Sequence, residues 1–221
     1  MFINNYKKIL DPLNGRCMQS GLTFIELTVV ISIIGILAGI ILFNYGNFSG
    51  GISVENTAQE VALSINEAQR YAISGAGNGH FGYNPNDQTE KPTYGIYLDP
   101  KTDSKSYIFY KDLNENRQYD DIGGICPGNN SGNDLCQVIV TINTGDYISG
   151  MSGVDFGGST VDLTTSAVDV TFQRPYPDAI IKDRNGQNYE QLTIELTSGK
   201  GGIKKDVIIY FTGQVQVENT P

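Results

Sequence analysis

The 221-residue sequence predicts an α+β chain in which a long N-terminal helix, first apolar and then amphipathic, packs on an antiparallel β head of one sheet or two packed sheets. Three observations predict it. An unbroken apolar run stands near the start, apolar residues at steps of three and four follow it, and the remainder alternates apolar with polar residues between glycine-rich turns. Composition agrees, because 13 Tyr, 9 Phe and 26 Gly with no Trp suit strands and turns better than a helical bundle.

The first element is a basic leader, residues 1–21, with Lys7, Lys8 and Arg16 against Asp11. Basic residues before an apolar span stay on the cytoplasmic side, so the chain after the span is exported. That exported part carries the acidity behind the net charge of −9. Such a surface repels phosphate backbones, and nucleic acid is not an expected partner.

The second element is the run from Leu22 to Phe43, which as a helix reaches about 33 Å, the thickness of a bilayer's hydrocarbon core. A cleaved secretory signal has a shorter apolar region, and Ile36-Leu37-Ala38 is a poor cut site. A plain signal anchor accounts for the span but leaves Glu26 unexplained, since a carboxylate at bilayer depth costs about 2.5–3.5 kcal/mol.

The order basic leader, Gly21, Leu22, Thr23, Phe24, Glu26, then an uninterrupted apolar helix resembles the class III signal of type IV prepilins and type II secretion pseudopilins. The resemblance covers about Arg16 to Gly46 and departs from the family in having Leu22 where phenylalanine is commonest and a long leader. It implies cleavage after Gly21 by a membrane prepilin peptidase and methylation of the new amine on Leu22. It also implies an assembly platform and ATPase, and polymerisation with other pilin or pseudopilin subunits through the helix. Glu26 of one subunit would then meet the N-terminal amine of a neighbour, so that each buried charge gains a partner. Localisation follows: the inner membrane with the head outside, then the filament.

The third element is an amphipathic helix from about Ser53 to Ser74, with Val54, Ala58, Val61, Ala62, Ile65 and Ala72 on one face. Gly46, Gly50 and Gly51 predict a kink or melted turn before it, and Ser53 or Thr57 is a candidate cap. AQRYAISG at Ala68–Gly75 resembles the helix end of H-type pseudopilins and minor pilins. The chain so divides into leader 1–21, assembly helix 22–45, amphipathic helix 46–75 and head 76–221.

In the head, TYGIYLD, SYIFYKD, CQVIVTI, VDVTFQR, AIIKD, QLTIELTS, DVIIYF and QVQVE read as strands, and Asn185-Gly186, Ser198–Gly202 and Thr212-Gly213 as hairpin turns. The closing strands resemble the C-terminal end of H-type pseudopilins. In an exported chain Cys126 and Cys136 read as a disulfide closing a short loop, the alternative being two free thiols. Asp112, Asn114, Asn116 and Asp120 carry oxygens, the first three at the alternating spacing of a calcium loop, but Arg117 stands where an EF-hand needs glycine and Gly123 where it needs glutamate. A short calcium-binding turn and a solvated Asx turn both remain open. Catalysis is not expected, because His80 is the lone histidine and no phosphate loop, dinucleotide fingerprint or metalloprotease motif is present.

Overall fold

The structure, a computed structural model, describes residues 21–74, 93–120, 126, 128–129 and 134–220. The leader before Gly21, residues 75–92 with Gly75, Gly77 and His80, and Gly123 lie outside the described residues. The chain divides into two compact units, Met1–Phe43 and Asn44–Pro221.

Helix α1 runs Phe24–Ser74. The expected break at Gly46, Gly50 and Gly51 is absent. Gly50 is buried, and a Cβ there would collide with the Lys200 carbonyl, while one at Gly51 would touch Ile203. These two glycines let a turn of the head approach the helix backbone; they do not interrupt the helix. The expected caps are also absent, because Ser53 and Thr57 sit inside the helix and donate their hydroxyls to Asp146, each at 2.8 Å.

The strands are β1 Thr93–Leu98, β2 Ser106–Asp112, β3 Gly128–Asn129, β4 Asp134–Thr141, β5 Tyr147–Val154, β6 Thr160–Asp162, β7 Val168–Gln173, β8 Ala179–Asp183, β9 Asn188–Tyr189, β10 Gln191–Thr197, β11 Lys204–Tyr210 and β12 Val215–Asn219. They form a seven-stranded sheet ordered β3-β4-β2-β1-β7-β8-β9 and a five-stranded sheet ordered β12-β11-β10-β5-β6. Every pairing is antiparallel. Gly186, Gly201, Gly202 and Gly213 take positive φ in the three predicted hairpins, the conformation that selects glycine there.

Alternation decides what each strand buries. Ile96 and Leu98 of β1, Val168 and Val170 of β7, and Leu192, Ile194, Val207 and Ile209 of β10 and β11 share one core with the helix residues Val54, Ala58, Val61, Ile65, Ala68 and Ala72. The second half of α1 is therefore part of the head's interior. On the other face of the seven-stranded sheet, Tyr97, Tyr110, Tyr119, Cys136 and Ala167 form a second cluster. Tyr119, in the segment after β2, has its ring centroid 5.1 Å from that of Tyr110 and 5.3 Å from that of Tyr97. Both faces of β1 are covered, and all six of its residues are buried.

Candidate functional site

The sequence points first to the start of α1. Gly21 and Leu22 precede the helix and are exposed, Leu22 at 70%. Thr23 is its N-cap: its hydroxyl accepts the Glu26 N–H at 3.3 Å, and its carbonyl accepts the Leu27 N–H at 3.1 Å. Thr-Phe-Ile-Glu is thus a capping-box sequence, a signal the motif reading passed over. Glu26 stands in the first turn, where the unpaired N–H groups favour a negative side chain. The glutamate stabilises the helix end whatever else it meets.

Beyond it, Phe24–Leu42 is the one helical stretch among the described residues long and apolar enough to cross a membrane, and none of it is buried inside the protein. Its few hydroxyls are satisfied locally. Thr28 donates to the Ile25 carbonyl at 2.9 Å and Ser32 to the Thr28 carbonyl at 2.7 Å, so neither needs water. Phe24, Ile25, Ile36 and Leu42 are each more than 60% exposed. Such a surface is stable only under lipid or another apolar helix, since each large side chain removed from water contributes about 1.5–3 kcal/mol.

The second predicted site lies at one end of the seven-stranded sheet. Asp112 is buried and turned inward, its two oxygens accepting the N–H groups of Glu115 at 2.7 Å and Arg117 at 2.8 Å. Asn114 and Asn116 donate their side-chain amides to one oxygen of Asp120, at 2.8 and 2.6 Å. Glu115 and Arg117 take φ of 59° and 64°, so Arg117 adopts the left-handed conformation for which glycine is usual. The loop is tied to β8 by Lys182 Nζ on the Asn116 carbonyl, and to the turn after β8 by Arg184 on the Tyr119 carbonyl.

The structure adds Asp134 on β4, which the spacing could not reveal because it is remote in sequence. Asp134 is the register partner of Asp112, is fully buried, and accepts the Asp120 N–H at 2.5 Å. Burial first, and then the carboxylates of Asp112 and Asp120, push its pKa up to about 7. Burial likewise raises Asp112. Among the described residues no group of three or more His, Cys, Asp or Glu side chains is arranged to hold a metal.

Cys126 and Cys136 are joined as a disulfide with Cα atoms 5.3 Å apart, which ties the loop to β4 beside the tyrosine cluster. Two further carboxylates were not anticipated. Asp169 on β7 is buried, accepts the Tyr110 hydroxyl at 2.9 Å and the Tyr119 N–H at 3.0 Å, and its other oxygen has no hydrogen-bond partner among the described residues. Its burial outweighs the nearby Arg184 charge and raises its pKa to about 6. Asp146 accepts hydroxyls from Ser53, Thr57 and Thr144 and the Gly199 N–H. Burial pushes Asp146 up, but these four donors together leave it lowered.

Residues 16–42 match the family model described as the prokaryotic N-terminal methylation motif. No curated protein and no solved structure matches the chain.

Proposed function

From the premise that the chain carries a class III signal and is type IV prepilin- or pseudopilin-like, we propose that it is the precursor of a filament subunit of a type IV pilus or type II secretion pseudopilus. A prepilin peptidase cuts it after Gly21 and the amine of Leu22 is methylated. The subunit waits in the inner membrane on its apolar helix and polymerises with other pilin subunits through that helix. Its role is structural, and the energy comes from an assembly ATPase acting through a membrane platform.

One observation carries the reading. A capped helix with a single carboxylate in its first turn goes straight into an apolar stretch of which nothing is buried. Cleavage would place a free amine at Leu22, four residues or about one helical turn from Glu26. A carboxylate and an amine, each costly in an apolar bundle alone, then satisfy one another between subunits.

The test is the mass of the N-terminus after co-expression with a prepilin peptidase. The expected product begins at methylated Leu22, and Gly21→Leu leaves the precursor uncut. An intact Met1, or a cut after Ala38, in the unsubstituted chain would instead mark a signal-anchored binding module that does not polymerise.

A further inference from the structure

Strand β4 forms most of one edge of the seven-stranded sheet. It pairs with β2 on one side, while on the other β3 reaches only Leu135 and Cys136. From Val138 to Thr141 no described residue pairs with its outer side. The backbone there is aimed outward at alternate positions. The Ile142 N–H bonds to the Lys105 carbonyl, so the alternation of an antiparallel ladder turns Val140 and Val138 toward β2 and leaves the N–H and C=O of Ile139 and Thr141 facing out.

Open edges are normally blunted by charge, proline or shortness. The other edge strands follow that rule: β3 and β9 have two residues each, β6 has three with Asp162 among them, and β12 carries Glu218. Strand β4 does not. No charged residue or proline stands between Leu135 and Gly145, in a chain with 24 acidic and 15 basic residues. Val138 and Ile139 are 45% and 47% exposed. They lie on opposite faces of the sheet, Val138 across from Phe109 on the face toward α1 and Ile139 across from Ile108 on the face of the tyrosine cluster. A strand added here covers apolar surface on both faces while it satisfies the backbone.

The sequence points to the occupant. Gln137-Val138-Ile139-Val140-Thr141 reads polar, Val, Ile, Val, polar in either direction. Laid antiparallel on a copy of itself about Ile139, it sets Val138 against Val140, Ile139 against Ile139, and Gln137 against Thr141. The outward groups of Ile139 then exchange two hydrogen bonds across the two-fold axis. No like charges meet across that pairing, although the chain carries a net charge of −9. We propose that β4 is a self-association edge, at which two copies of this chain join their seven-stranded sheets through an antiparallel β4–β4 ladder. The bulge at Gln137 keeps the ladder short, so the contact is weak and concentration-dependent. It is a property of the head and does not rest on the filament reading.

The test is sedimentation velocity of the full-length protein in detergent over a range of concentrations, beside thiol cross-linking. The unsubstituted chain is expected to pass from monomer to dimer as concentration rises. Ile139→Lys sets two ammonium groups against each other and should weaken the dimer by about tenfold or more, whereas Val161→Lys, on the exposed strand β6, should leave it unchanged. In a Cys17→Ser background, Ile139→Cys should give a disulfide-linked dimer on mild oxidation, since facing Cα atoms would stand about 5.5 Å apart, and Val161→Cys should not. The cysteine arm decides the question if Ile139→Lys fails to fold. A monomer at every concentration overturns the proposal. So does a dimer that survives Ile139→Lys, which would be held by the apolar helix, or equal cross-linking from positions 139 and 161.

Discussion

At the scale of single residues, two buried aspartates show how hydrogen bonding decides the meaning of burial. Asp146 holds four donors, two of them from the helix, so removing it strands groups on three segments. Asp146→Ala is expected to destabilise the head by about 3 kcal/mol in a urea titration. Its pKa is depressed in the folded state, so its contribution is present above pH ~4 and lost as the solution is acidified through the folded value. Asp169 has the opposite sign. With a folded pKa of about 6 against ~4 unfolded, the native chain holds the proton more tightly, and stability falls as pH rises through that window. Tyr110, Tyr119, Arg184 and Asp120 are the groups facing it. Asp169→Asn, which keeps an acceptor for Tyr110, should flatten the slope of Tm between pH 4 and 7, by an amount equivalent to ~3 kcal/mol at most. An unchanged slope would place the titration elsewhere.

At the scale of elements, the glycines of α1 separate propensity from packing. Gly46 has open space around it, so Gly46→Ala is expected to stabilise the monomer by about 1 kcal/mol. Gly50→Ala gains the same propensity but drives a methyl into the Lys200 carbonyl and the Ser198 hydroxyl, so it should lower stability by about 1–3 kcal/mol. Thermal melts of the two variants beside the parent check the contrast in sign. The disulfide is the other element-scale device. It closes a loop with ten residues of sequence separation, and its loss should cost about 3 kcal/mol. The Cys126→Ser, Cys136→Ser double variant should also open the Tyr110–Tyr119 cluster to proteolysis, visible as new cleavage between β2 and β4.

At the scale of the whole molecule, assembly is the property to test. Glu26→Gln keeps the helix cap through Thr23 but removes the charge, so the variant should be trimmed normally and enter filaments poorly, by at least tenfold in sheared fractions. Much of this plan was legible because it is written in local periodicity. The apolar stripe of α1, eight of the nine longer strands with their alternation or turns, and the span after Gly21 each repeat within a few residues. What escaped was non-local. Strand β5 carries Gly150 and Gly153, which blur its alternation, and Gly153 is explained only by Tyr189 and Leu163 lying against it. Asp134 finds Asp112 through a sheet register, and Ser53 and Thr57 find Asp146 across some ninety positions, which no spacing rule encodes. Gly50 and Gly51 misled for the same reason, since their use is set by a turn far along the chain.

The burial of Val54 through Ala72 among the strands has a practical corollary for anyone seeking a water-soluble version. A truncation that starts at Asn44 discards the greasy stretch and leaves the interior sealed. One that starts at Ala76, where sequence alone would put the head's edge, would strip away a whole wall of the interior and yield aggregate.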